Sequence, residues 1–94
     1  MTNTYVLYEK NTYITGFRDG GGKPIKLTMH AVERGLDNNL DQEEIIRIVR
    51  EGIKEPEGKT KCRYILKTRR ETLVAYGDED DERVIVITVT KGGV

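Results

Sequence analysis

One stretch of this chain repeats apolar residues at helical spacing without a break: Ile45, Ile46, Ile48, Val49 and Ile53. Steps of three and four residues line them along one side of a helix. Asp41 is a good N-cap, and Glu44, three residues on, completes a capping-box pattern. Gly52 and Pro56 predict the stop. A weaker helix is predicted upstream from Met29, Val32 and Leu36, with Thr28 placed to cap it. Gly35 weakens that helix, and Asn38-Asn39 suits its end.

Elsewhere the period shortens to two. Residues 25–28 alternate apolar and polar and predict a short strand. Residues 61–68, 71–77 and 83–90 predict a three-stranded antiparallel meander, with Arg69-Arg70 at the first turn and residues 78–82 as the second loop. That arrangement pairs Leu66 with Leu73, Tyr64 with Ala75 and Arg63 with Tyr76, then Ala75 with Ile85 and Leu73 with Ile87. One sheet face would carry Tyr64, Leu66, Leu73, Ala75, Ile85, Ile87 and Val89, and would receive the helices. The other would carry Arg63, Lys67, Thr72, Thr88 and Thr90 around Ile65, Val74 and Val86. Residues 84–89 are apolar on both faces, as a central strand would be, so the second face is not simply wet. The N-terminal arm, a second subunit or a ligand would therefore cover part of the second face.

Residues 4–8 and 12–17 are rich in tyrosine and β-branched side chains and read as a hairpin bent at Glu9-Lys10-Asn11. Asp19-Gly20-Gly21-Gly22 is a turn separating this arm from the rest. The expected class is thus α+β: two short helices on one face of an antiparallel sheet, ordered as a short strand, two helices and a three-stranded meander, with an N-terminal β-hairpin arm. Residues 1–94 read as one domain, with residues 1–19 as the arm and 25–90 as the core.

Composition narrows the function classes. Sixteen basic and sixteen acidic side chains balance, so net charge does not announce a nucleic-acid binder. The charge is segregated instead. Lys59, Lys61, Arg63, Lys67, Arg69 and Arg70 share a window without an acid, and Asp78-Glu79-Asp80-Asp81-Glu82 follows. This gives either a solvated basic hairpin with an acidic loop, or two surfaces for oppositely charged partners. The longest apolar run, residues 84–87, is far short of the ~20 residues of a membrane helix. One cysteine, Cys62, allows no internal disulfide, and the N-terminus is not signal-like. A cytoplasmic setting without membrane contact is the expectation.

Little in the sequence can perform chemistry. One histidine and one cysteine cannot build a zinc site, and the acidic run lacks the alternating ligands and central glycine of a calcium loop. No metal or other cofactor is expected. Serine is absent, which excludes a serine triad. Gly22-Lys23 is followed by Pro24 and so is not a phosphate loop. Cys62 alternates onto the apolar strand face and reads as a small buried hydrophobe. His30 remains: its unperturbed pKa suits proton transfer, and Arg34 lies one turn later on the same side. Either the pair handles a proton and an anion, or His30 only hydrogen-bonds the strand edge and positions its helix.

The segment Leu27-Thr28-Met29-His30-Ala31-Val32-Glu33-Arg34 resembles the T-x-H-A-x-x-R signature of a small bacterial and archaeal family. That family continues with an E-I helix, an R-Y-x-L strand and a V-I-T-V strand. Glu44-Ile45, Arg63-Tyr64-Ile65-Leu66 and Ile85-Val86-Ile87-Thr88-Val89 stand in those places, so the resemblance runs from Ile25 to Thr90. The family resembles the BrnT and RelE toxins, which cut RNA without metal. The resemblance implies a metal-independent endoribonuclease with RNA as substrate and an antitoxin-like protein as partner. It implies His30 for proton transfer and Arg34 for phosphate. Arg63 and Lys67 would grip the RNA backbone, and Tyr76 would stack a base. The chain departs from the family where M-x-x-R-G-I is usual, because Asn38-Asn39-Leu40 replaces the arginine and glycine. The competing expectation is a non-catalytic binding module or a homodimer on the same fold, supported by the balanced charge, the missing arginine and the two-sided apolar strand.

Overall fold

The computed structural model describes the backbone of Val6–Leu7, Thr12–Arg18 and residues 23–93, with side chains over residues 23–92. Along the chain these residues form β1 (Val6–Leu7), β2 (Thr12–Arg18), β3 (Pro24–Thr28), α1 (Met29–Asp37) and α2 (Gln42–Glu51). Then follow β4 (Ile53–Pro56), β5 (Lys61–Lys67), β6 (Glu71–Glu79) and β7 (Val84–Gly93). Strands β3-β7-β6-β5-β4 lie side by side in that order, with β2 and then β1 continuing beyond β3. The fold is α+β, with both helices on one face of the sheet. The predicted bend at residues 9–11, the turn at 19–22 and residues 4, 5 and 8 lie outside the described residues.

The helices begin and end where local chemistry directs. Thr28 Oγ1 accepts from Ala31 N at 3.1 Å and donates to Ile87 O at 3.1 Å, which ties the first turn of α1 to β7. Asp41 and Glu44 form the reciprocal capping box, at 2.8 and 3.1 Å. Between the helices, Asn39 holds φ 59°, with Asn39 N donating to Leu36 O and Leu40 N to Gly35 O. This is a Schellman ending with asparagine at the left-handed position that glycine usually takes. Gly35 lets the helices pack closely: a Cβ there would lie 2.7 Å from Ile45 Cδ1 and 3.0 Å from Leu40 O, so the Ile45 side chain would have to shift.

Buried side chains form one cluster. Ile45, Ile46, Ile48 and Val49 of α2 meet Tyr64, Leu73, Ala75, Val84, Val86 and Val89 of the sheet, with Ile25, Leu27 and Ala31 alongside. Cys62 is buried in the same cluster. The β5–β6 register is as the alternation predicts: Arg63 with Tyr76, Tyr64 with Ala75 and Leu66 with Leu73.

Four features differ from the sequence pattern. The sheet is mixed, because β3 runs parallel to β7, with Ile25 beside Val84 and Leu27 beside Val86. Two helices carry the chain from β3 to β4 at the far end of this order, and three antiparallel steps from β4 through β5 and β6 bring β7 back beside β3. Next, α2 ends at Gly52, and Ile53 opens an extra edge strand rather than extending the helix stripe. A Cβ on Gly52 would meet Ile48 O at 2.4 Å and Ile65 O at 2.9 Å, so only glycine passes this corner. Then β6 runs on to Glu79, and only residues 80–83 make the loop. Asp80 Oδ1 closes it by accepting from Glu82 N and Arg83 N at 2.8 and 2.9 Å. The register shifts between Tyr76 and Gly77, where β7 carries one extra residue; Ala75 therefore pairs with Val89 and Leu73 with Lys91. An odd insertion reverses the alternation before it. Val84 and Val86 face the helices, whereas Ile85 lies half-buried and Ile87 is 41% exposed. Last, α1 turns Ala31 and Gly35 inward, leaving Met29 and Leu36 exposed.

Candidate functional site

The five side chains singled out by sequence fall in two places. His30 and Arg34 are exposed on α1, one turn apart, in the helical layer. Arg63 and Lys67 alternate with Tyr64 and Leu66 on β5 and so project from the sheet face away from the helices. Tyr76 shares that face as the direct cross-strand neighbour of Arg63. The sheet thus separates His30 and Arg34 from the other three. Arg63 is also engaged: its guanidinium pairs with Glu55 across the β4–β5 ladder and with Glu57 at 3.6 Å. The Glu55 hydrogen bond, against the opposing pull of burial, raises its pKa above the ordinary arginine value.

The face that carries Arg63 has a regular make-up. Ile53, Ile65, Val74 and Thr90 form a row straight across β4, β5, β6 and β7. The next row is Glu55, Arg63, Tyr76 and Thr88. Beyond it, Lys61 pairs with Asp78, and Asp78 pairs with Ile85. Ile53 is 69% exposed; Ile65, Val74, Tyr76 and Ile85 are half-buried. On an antiparallel sheet a solvated face is normally polar in alternation. Here an isoleucine–isoleucine–valine row stands on the face instead, exposed at Ile53 and half-buried at Ile65 and Val74.

At the helix side of the sheet, the end of β6 holds a charged cluster that the sequence did not reveal. Glu79 Oε2 accepts from Lys23 Nζ at 2.6 Å and Lys54 Nζ at 2.9 Å, and Oε1 accepts from the Tyr64 hydroxyl at 2.7 Å. Burial would raise the Glu79 pKa, but the hydrogen bonds from Lys23, Lys54 and Tyr64 outweigh it and hold it at about 2. Burial, then the bond to Glu79, pushes the Tyr64 hydroxyl well above the usual range. One group is therefore always ionised and the other always protonated near neutrality, so neither shuttles protons there. The cluster instead joins the start of β3, the edge strand β4 and the end of β6. Its period-two position after Leu73, Ala75 and Gly77 was the available signal for Glu79, hidden inside an acidic run read as loop.

Beside this cluster lies a cleft of about 340 Å³ lined by Lys54, Lys59, Thr60 and Asp81 together with Glu79. A smaller apolar groove of about 240 Å³ opens between Val32, Leu36 and Leu40 of the helical layer. Neither includes His30, Arg34, Arg63, Lys67 or Tyr76. Among the described residues no group of three or more histidine, cysteine or acidic side chains could hold a metal ion, and no helix is long and apolar enough to cross a membrane. Comparison with protein-family models, curated proteins and solved structures finds no match for this chain.

Proposed function

We propose that this chain is a non-catalytic binding or assembly module that works through the sheet face away from its helices. The observation that carries the reading is the apolar row Ile53, Ile65 and Val74 on that face, exposed at Ile53 and half-buried at Ile65 and Val74. Apolar surface held in one row by three strands gives a partner a flat, preformed platform, whose burial returns roughly 25 cal/mol per Å². The ion pairs of Arg63 with Glu55 and Glu57 compensate the row beside it, which favours a weakly charged partner over a polyanion. Edge pairing is a poorer alternative at β4, where Lys54, Glu55 and Pro56 blunt the strand. In the test, Val74→Lys should abolish apolar-dye binding or association by the purified chain, and the wild type should leave RNA intact in EDTA. RNA cleavage that disappears in His30→Ala would overturn the reading.

A second reading keeps RNA as the ligand, on the BrnT/RelE-like resemblance, as a metal-independent endoribonuclease with an antitoxin-like partner. One observation favours it: Arg63, Lys67 and Tyr76 share a face, two of them as direct neighbours. Under this reading His30→Ala slows cleavage by about 10²–10⁴-fold, and RNA binding weakens steeply with salt. The separation of His30 and Arg34 from that face, and Asn38 in place of the family arginine, make it the weaker of the two. Asn38 caps α1 instead, donating from Nδ2 to Arg34 O at 2.8 Å.

A further inference from the structure

We infer that the partner on this face is a second copy of the same chain, its sheet packed against the first about a two-fold axis that runs along β5 and β6. The inference rests on the binding reading above and deepens it by naming the occupant.

The reason lies in three consecutive cross-strand pairs of one hairpin: Lys61 with Asp78, Arg63 with Tyr76 and Ile65 with Val74. Each pair joins unlike but complementary side chains, and all six lie on the same face. A two-fold axis between the sheets, parallel to these strands and midway between them, exchanges the β5 column with the β6 column. Lys61 then stands over Asp78 of the second copy, and Asp78 over its Lys61. Arg63 stands over the Tyr76 ring of the second copy, a cation–π geometry, and the reverse contact is made as well. Ile65 and Val74 cross at the centre, and Ile53 falls over Thr90 at the flanks.

Every contact is satisfied twice, as an isologous interface requires. No like charges meet among these pairs. Lys61 is exposed, and Asp78 takes a 3.4 Å hydrogen bond from Thr60 Oγ1 that leaves its carboxylate able to accept a second cation. Arg63 enters already compensated by Glu55 and Glu57, which lessens the cost of covering it. Sheets packed face to face keep their strands within about 30° of one another, and an axis along the strands yields that aligned arrangement. An RNA strand or an acidic peptide would find Glu55, Glu57 and Asp78 on or beside the same surface, so polyanions are disfavoured here.

The test uses the full chain in sedimentation equilibrium over a range of concentrations, with dye binding alongside. The wild type should be a dimer. Val74→Lys should be a monomer with unchanged circular dichroism. Lys61→Asp and Asp78→Lys, both on the surface, should each weaken dimerisation by roughly tenfold or more through like-charge contacts. Mixed together, those two variants should form a heterodimer, because both interfacial pairs regain opposite signs. A dimer that survives Val74→Lys, or a mixture that shows no preference for the heterodimer, overturns this interface. A monomeric wild type whose dye binding depends on Val74 overturns the second copy while leaving the binding reading standing. A monomer with no Val74-dependent binding removes both.

Discussion

Replacing Glu79 by glutamine tests how the edge strand and the start of the core are held. The variant keeps the shape of the side chain but gives Lys23 and Lys54 no anion. The carboxylate pKa stands at about 2 in the folded chain against an ordinary 4.5, which corresponds to a stabilisation on the order of 3 kcal/mol. Glu79 is about 10% exposed but Lys54 is 48% exposed, so solvent screens part of this and the figure is an upper value. As pH falls, the unfolded chain takes up the proton near 4.5, while the folded carboxylate resists until about 2. The contribution is thus complete above roughly pH 5 and lost progressively between the two values. Urea unfolding of both proteins should show Glu79→Gln less stable by a few kcal/mol at pH 7. The gap should narrow steadily as pH drops toward 2.5. Carbon-detected titration of the Glu79 carboxyl by NMR should give a midpoint near 2. A gap that stays constant from pH 7 to 2.5, or one below about 0.5 kcal/mol at pH 7, would refute the idea that this cluster is a stabilising clamp.

Two further predictions concern packing. Ile48 is fully buried under the sheet, so Ile48→Ala should cost about 2–5 kcal/mol in urea unfolding; a loss under half a kcal/mol would mean α2 presents another side to the core. At Gly77 a Cβ would lie 2.2 Å from Ile85 O, so Gly77→Ala should cost about 1–3 kcal/mol or more, and amide exchange should speed up beside the bulge. Unchanged exchange there would show that the β6–β7 register tolerates a side chain at this point.

Much of the local structure was written in the sequence itself. Asp41 with Glu44, Thr28 and Asn38-Asn39 define helix ends through bonds within a few residues, which neighbours along the chain suffice to make. The β5–β6 register was equally legible, because Arg69-Arg70 leaves a short turn and the apolar residues then match in phase. The shared face of Arg63, Lys67 and Tyr76 follows from that register alone. Contacts remote in sequence decided the rest. Val84 and Val86 displaced Ile85 and Ile87 from the core because one extra residue in β7, accommodated by Gly77, reverses the alternation, and a period-two pattern carries no mark of where an insertion falls. Ile53 left the helix stripe because Gly52 turns the chain against Ile65, thirteen residues downstream in an adjoining strand. Glu79 looked like one acid among five until the fold brought Lys23, Lys54 and Tyr64 around it. His30 and Arg34 were neighbours by helical period, and the alternation already put Arg63, Lys67 and Tyr76 on the sheet face away from the helices, because both separations follow from local periodicity.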